Sequence, residues 1–576
     1  MKRPAAFGVA VVVSAALVAG LWWVNRPDSA PGCPQGLTEI RVASSQDKVE
    51  LLREAAAGFG ARACGRVVVD EVNSGTGMEA LARGWDVDLD GPRPDVWAPT
   101  ASVWLTLLEH RAKDTGGVAA TAPPVPIVTS PLTIAMPKPM AEALGWPGEP
   151  IGWRDLAALA RDPRGWGAHG HPEWGPFRLG KTNPNFSTSG LNATVAAFFA
   201  ATGTTGDLTT GDVQKKENRE FVRAIEQSIV HYGETAIAFL ENMQKADDRG
   251  SALGYISAVT LEEKFVTDYN RGNPSGDPAT LGDHLPPKVP LVAISPEEGT
   301  TVSDHPYIEL AWMDAPKRTV AAAFLRHLHS PRVQERFMLY GYRSHDGATG
   351  PLQQDAAPLP GLLRPPSAHV LDAVLTSWRE LRKPANVLLV LDVSGSMESS
   401  VELFGESALT LAKRAANASL GQFTDADRVG LWIFSTHLDG ERDHLELLTT
   451  EPMKDNRDKL RGLIDGLTPG GGTGLYDTAA AALGAMAAEA EPGSINAVVL
   501  LTDGANEDDG LTLDNLITRV KETTSDEPVR LFTIGYGGAA DQEVLTRMAE
   551  ATDGVAYESG DEAHIQRVFT SVISNF

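Results

Sequence analysis

The sequence predicts an α/β protein of two successive modules, each a largely parallel sheet covered by helices on both faces. Three observations carry this expectation. From Thr38 onward the N-terminal half alternates short apolar strands with helical stretches, the order that builds parallel sheets. In the C-terminal third, Leu388-Leu-Val-Leu391 is an unbroken apolar run, as in a strand buried on both faces, and it gives way at once to Asp392, Ser394 and Ser396. A chain of 576 residues also exceeds a single ordinary core, so two or three domains are expected.

In chain order, Lys2 and Arg3 precede an apolar run from Ala5 to Val24, closed by Asn25-Arg26-Pro27. About 20 uncharged residues can span a bilayer, whereas the apolar part of a secretory signal is usually about 7–15 residues. Trp22 and Trp23 fall where an interfacial belt would lie. Residues 1–26 therefore read as a membrane anchor with the bulk of the chain outside, and a cleaved signal is the alternative. Cys33 and Cys64 are the two cysteines. Outside the cytoplasm such a pair is most simply a disulfide, closing a loop of about 31 residues for roughly 3–4 kcal/mol. A lipid-modified Cys33 is the competing reading. The net charge of −25 argues against nucleic acid, whose phosphates need a basic footprint.

Glu39–Ser45 reads as the first strand, Lys48–Phe59 as a helix and Arg66–Val72 as the second strand. Asn73-Ser-Gly-Thr-Gly77 then leads into the helix Met78–Arg83, and Asp95–Pro99 is a third strand, with Ser102 able to cap the next helix. Val128–Met136 reads as a crossing strand, and Pro184-Asn-Phe-Ser-Thr-Ser-Gly190 precedes a helix from Leu191. Gly254–Val259 and Pro290–Ser295 are later strands, and Arg332–Phe337 with Tyr340-Gly-Tyr342 closes the series. In this order the pieces resemble the extracellular solute-binding proteins of bacterial uptake systems, over roughly residues 37–361. The resemblance implies a two-lobed periplasmic-receptor-like domain, with the ligand held between lobes by hydroxyls and helix N-termini. Ser44, Ser45, Thr76, Ser187, Thr188 and Ser189 are the candidates, for a small oxyanion or polar solute. Ordinary helix capping is their other reading. His169, His171 and Glu173, within an insertion from Trp146 to Trp174, form an H-x-H-x-E pattern that also arises in loops without a metal.

Pro351–Pro366 is proline-rich and reads as a semi-stiff spacer. Ala368–Arg382 is a helix within a linking segment, residues 362–385, that leads into the last module, residues 386–576. There Ser407–Gln422 is helical, Arg428–Ser435 a buried strand, His444–Leu448 an antiparallel edge strand and Asp455–Leu467 a helix. Gly470-Gly-Gly-Thr-Gly-Leu-Tyr-Asp477 is a glycine-rich loop opening an alanine-rich helix. Val498-Val-Leu-Leu-Thr-Asp-Gly504 is a strand ending in Asp503, Val529–Gly535 and Gly554–Glu558 are the last strands, and Glu562–Ile573 is the closing helix.

D-x-S-x-S, a Thr in a glycine loop and a strand ending T-D-G resemble, in that order, the von Willebrand factor A (VWA) domain, a doubly wound Rossmann-like fold. The resemblance implies a metal-ion-dependent adhesion site made by Asp392, Ser394, Ser396, Thr473 and Asp503. An oxygen-only ligand set suits Mg²⁺, with Mn²⁺ or Ca²⁺ as alternatives, rather than zinc or copper. From Asn386 onward there are 32 acidic and 13 basic residues, which fits a cation-binding module and equally a solvated acidic surface. Asn506-Glu-Asp-Asp509 is either a second Ca²⁺ ligand set or a solvated acidic loop. Asp477 is expected to favour the positive end of its helix rather than to reach the ion.

Two functions follow. One is a membrane-anchored, cell-surface binding protein whose metal captures an acidic side chain of a protein partner, with the receptor-like domain serving a small solute or a second partner. The alternative is the solute receptor of an uptake system carrying the VWA domain as an accessory. No nucleophile elbow, supported Ser-His-Asp order or phosphate loop is present, so an enzyme is not expected.

Overall fold

The computed structural model describes residues 33, 36–60, 62–115, 117, 120–233, 235–353, 359, 361–401, 406–522, 528–559 and 565–576. The expected anchor over residues 1–26 lies outside them, and among the described residues no helix is long and apolar enough to cross a membrane. The chain forms two compact units. The first takes in the described residues of Met1–Ser130, Gly276–Leu281 and Val302–Ala356, and the second those of Pro131–Ser275, Gly282–Thr301 and Ala357–Phe576.

In the first unit the sheet runs Gly65–Glu71, Thr38–Ser44, Val96–Ala98, Pro306–Glu309, Val125–Pro126. The first three strands are parallel and Pro306–Glu309 is antiparallel to both neighbours. Ile40 and Val42 are fully buried against Leu52 and Phe59 of the helix Val49–Phe59 and Phe324 of the helix Ala315–Leu328. That helix begins one residue later than Lys48, because a single 3-10 turn, Gln46–Lys48, intervenes and buries the Lys48 side chain. Cys33 and Cys64 are joined, with Cα atoms 5.5 Å apart. The bond leaves no Cys33 thiol for a lipid.

In the second unit, Ser130–Pro137 pairs antiparallel with Ala258–Glu262 and Leu291–Ile294, and Leu179–Thr182 lies parallel between Ala258–Glu262 and Ile229–Gly233. The strand expected from Gly254 starts only at Ala258. Gly254 and Tyr255 instead donate their N–H groups back to Ser251 O in the helical turn Ala252–Tyr255. The helix Thr188–Thr202 is buried on all sides from Thr188 to Ala200, which accounts for its lack of a polar face.

The C-terminal sheet runs Arg442–Pro452, Arg428–Asp439, Ala385–Asp392, Ile495–Thr502, Val529–Tyr536, Ala556–Ser559. All pairings are parallel except that of the edge strand Arg442–Pro452, which turns back on Arg428–Asp439 in a hairpin longer than expected from sequence. Leu388, Val390, Val498 and Leu500 pack beneath the alanine-rich helix Leu475–Ala488. Small alanines let that helix lie close to the sheet. The closing helix is described over Ile565–Ile573.

The stretch expected as a spacer is partly docked. Thr300 N–H donates to Gly361 O and Leu363 N–H to Thr300 O, each at 2.9 Å, and Leu363 is buried. The linking helix Ala368–Leu381 is likewise a packed element, burying Val370, Leu371, Val374, Leu375, Trp378 and Leu381. Trp378 Nε1 donates to Glu226 Oε2 at 3.1 Å, and the same carboxylate accepts from Tyr232 OH at 2.5 Å and pairs with Lys181 Nζ. Asn183 Nδ2 donates to Ser574 O and Tyr232 N–H to Asn575 O, both at 3.0 Å. A receptor-type sheet and the Rossmann-like sheet thus meet along a hydrogen-bonded seam inside one unit.

Candidate functional site

The site on the C-terminal sheet starts at the end of the strand Ala385–Asp392. Two buried parallel neighbours fix that strand's register, so Asp392 stands at the C-terminal edge where helix-leading loops converge. Asp392 and Ser394 are buried and Ser396 is exposed. Ser394 N–H donates to Asp392 Oδ1 at 2.7 Å, and Thr502 Oγ1 to Asp392 Oδ2 at 2.6 Å. Ser394 Oγ lies 2.9 Å from Ser396 Oγ, which donates to Asp503 Oδ1 at 2.6 Å. Thr473 joins from the glycine loop. A Cβ on Gly504 would come within 3.1 Å of Thr473 Oγ1 and 3.9 Å of Ser396 Oγ. The structure therefore gathers all five of the residues expected here.

Burial pushes the Asp392 carboxyl up to about 6, helped by the Asp503 carboxylate and opposed by the bonds from Ser394 and Thr502. No described Lys or Arg pairs with Asp392, and no described group hydrogen-bonds the Thr473 hydroxyl. A buried carboxylate without a counter-charge and a hydroxyl without a partner, among oxygen donors only, fit a hard divalent cation.

The supporting loop contains residues that sequence reasoning placed elsewhere. Asn506 Oδ1 accepts from Leu475 N–H (2.9 Å) and Tyr476 N–H (3.1 Å), capping the helix behind Thr473. Glu507 accepts from Thr473 N–H at 3.2 Å and returns its own N–H to Thr473 O at 2.8 Å. Half of this stretch, read from sequence as either a Ca²⁺ ligand set or a solvated acidic loop, is thus a brace for the ligand loop. Asp477 accepts from Leu511 N–H at 2.9 Å. Thr502, which orients Asp392, was legible only as the Thr of the T-D-G strand end.

The six candidates for a solute divide between the units. In the first, Ser44 and Ser45 are buried at the end of their strand and Thr76 is half-buried in the helix Ser74–Arg83. Ser45 accepts from Lys48 Nζ rather than capping a helix. Beside it, burial pushes the Asp47 carboxyl up, but Lys48 and His305 together hold it well below its ordinary range. His305 Nδ1 lies 3.2 Å from Asp47 Oδ2, and Thr100 Oγ1 donates to Asp47 Oδ1 at 3.2 Å. Asp47, Lys48 and His305 were not legible as a group, because His305 arrives from a distant part of the chain. In the second unit, Ser187, Thr188 and Ser189 open the helix Thr188–Thr202, and Ser187 makes no side-chain cap bond. The capping reading fails for Ser45 and Ser187. His169, His171 and Glu173 do not gather as a ligand group among the described residues: His171 pairs with Glu173 and stacks on Trp174, while His169 packs on Trp166.

Fold and site define an α/β protein in which two sheets covered by helices precede a Rossmann-like domain with an oxygen-lined loop edge. The chain belongs to the bacterial extracellular solute-binding protein family, matched over residues 40–343, and it carries a von Willebrand factor type A domain, matched over residues 386–571. Among solved structures it is similar to the sulfate-binding protein SubI from Mycobacterium tuberculosis H37Rv, at 15% identity over 59% of this chain and 96% of that one, with a TM-score of 0.37. A periplasmic thiamin binding protein is similar at 13% identity over 60% of this chain and 96% of that one, with a TM-score of 0.40. A von Willebrand factor type A protein from Catenulispora acidiphila is similar at 21% identity over 34% of this chain and 43% of that one, with a TM-score of 0.26. A comparison with curated proteins gives no match.

Proposed function

We propose that this is a cell-surface binding protein, anchored by residues 1–26, that captures a protein partner through a divalent cation held by Asp392, Ser394, Ser396, Thr473 and Asp503. The observation that supports it most is the convergence of these oxygen donors around a buried carboxylate with no counter-charge. Mg²⁺ suits the set best, with Mn²⁺ or Ca²⁺ as substitutes. The bound cation supplies a positive point on an acidic surface, open to a carboxylate from the partner. Thr502 and the Ser394 N–H hold Asp392 in place, while Asn506 and Glu507 hold the loop that presents Thr473. We read the modules as 37–361 for the receptor-like domain, 362–385 for the linking segment and 386–576 for the VWA domain. Capture of a surface partner from cell extract should require the divalent cation and be lost with chelator and in Asp392→Ala. Capture indifferent to both would overturn the reading.

The family match over residues 40–343 favours a second reading, a solute receptor of an uptake system with the VWA domain as accessory. Ser44, Ser45, Thr76, Ser187, Thr188 and Ser189 would then serve a small oxyanion or polar solute. A thermal-shift screen of oxyanions, sugars and amino acids on the full chain tests it; a shift removed by Ser45→Ala supports this reading, and no shift with any of them counts against it.

A further inference from the structure

We infer a second cation site beside the first, made by His437, Asp443 and Asp508, which takes a first-row divalent cation of the Zn²⁺ type. It does not rest on the Asp392 site, and its donors come from different stretches. His437 and Asp443 flank the turn of the edge hairpin, whose pairing slips between Phe434 and Asp439. Asp508 comes from the loop that follows Asp503. The three residues offer one ligand atom each, all within 4.8 Å of one another.

Two further observations point to a cation there. Asp443 is 5% exposed, and its Oδ1 accepts from His437 N–H at 2.8 Å, with His437 Nδ1 3.5 Å from the same oxygen. No described residue donates a hydrogen bond to the other oxygen of this buried carboxylate. The surroundings are acidic and lack a counter-ion of the protein's own: no described Lys or Arg pairs with Asp443, Glu507 or Asp508. A cation bound here would meet the second oxygen of this carboxylate and offset the charge of the acids around it.

The donor chemistry separates this site from its neighbour. One imidazole nitrogen with two carboxylates suits Zn²⁺, which takes nitrogen and oxygen ligands together, whereas Mg²⁺ favours oxygen alone. His437 is largely exposed, with 72% of its side chain accessible, so the set leaves the outer side of the ion to water or a ligand. Gly474 is required by this arrangement: a Cβ there would fall 2.4 Å from Asp443 Oδ2.

The test is Zn²⁺ binding by the tag-free, chelator-stripped full chain, measured by competition with a chromophoric chelator. His437→Ala and Asp508→Asn should each weaken Zn²⁺ binding by more than about tenfold, a loss already usual when only a supporting residue of a metal site is removed. Both positions are accessible enough for the variants to fold, and Asp443→Asn is a third arm once circular dichroism shows it folded. Asp392→Ala should leave this Zn²⁺ binding in place, and His437→Ala should leave Mg²⁺ binding in place, so failure of either site is separately visible. Zn²⁺ affinity unchanged in His437→Ala and Asp508→Asn, or lost instead in His171→Ala, would overturn the inference.

Discussion

Thr502 Oγ1 donates to Asp392 Oδ2 across 2.6 Å, from the strand adjacent to the one that ends in the carboxylate. The bond fixes which way the carboxylate faces, leaving Oδ1 to the Ser394 N–H. Thr502→Val keeps the shape of the side chain and removes the donor. It should weaken Mg²⁺ binding by roughly 10- to 100-fold, the usual cost of losing an outer-shell partner. Calorimetric titration of the full chain measures this, and an affinity equal to wild type would deny Thr502 an orienting role.

Without a cation, Asp392 should make stability rise as pH falls. Its folded carboxyl is raised from the ordinary 3.8 to about 6, so the folded state holds a proton in a range where the unfolded chain has lost it. The penalty is full above about pH 6 and absent below the ordinary carboxylate range, a difference of about 3 kcal/mol. Urea unfolding of chelator-treated protein at pH 7 and pH 5 should show about 1.3 kcal/mol of this difference, and Asp392→Asn should reduce it.

His231 should act in the opposite sense. Burial, with Arg530 nearby, depresses its imidazole from 6.5 to about 3. Its Nδ1 lies 2.9 Å from Tyr232 O and its Nε2 3.2 Å from Tyr255 OH. The neutral ring contributes stability above pH 6.5, and that contribution is lost as pH falls toward 3, by about 2 kcal/mol at pH 5. His231→Asn should flatten that part of the acid-unfolding profile.

The VWA ligand set was legible in the sequence because each part sits at the end of a strongly patterned element: an apolar strand, a glycine loop before an alanine-rich helix, and another apolar strand. The doubly wound layout and the antiparallel edge were legible for the same reason. The supports were not. Glu226 meets Lys181 across 45 residues and Trp378 across 152, and no local pattern marks such a meeting. Asp443 and His437 lie at a hairpin turn, where hydrophobic periodicity carries no signal. In sequence, Asn506 and Glu507 read only as part of a stretch that is either a Ca²⁺ ligand set or a solvated acidic loop, because a capping role is set by where the neighbouring helix begins.

Glu226 is the fixed point of the seam, fully buried and shared by Lys181, Tyr232 and Trp378. Removing it in Glu226→Ala leaves a buried ammonium unpaired and should cost about 3–5 kcal/mol. Differential scanning calorimetry should then separate the melting of the two sheets that the seam joins; a single unchanged transition would show the seam to be dispensable.

Reduction of Cys33–Cys64 should destabilise only the first unit. The bond closes a loop with a sequence separation of 31, worth roughly 3–4 kcal/mol. Cys64→Ser should show that loss by chemical unfolding, with Mg²⁺ binding at Asp392 intact.

The seam also limits how this chain can be taken apart. Its family boundaries fall at residues 343 and 386, yet the helix between them is sealed against Glu226, and Asn183 and Tyr232 hold the backbone of Ser574 and Asn575. A foreign VWA domain grafted at residue 386 would arrive without the partners that Asn183, Tyr232 and Val230 meet here, Arg530 among them, whose guanidinium donates to Val230 O. Interchange of parts, the usual freedom of a two-module protein, is confined here to pieces that carry the seam with them.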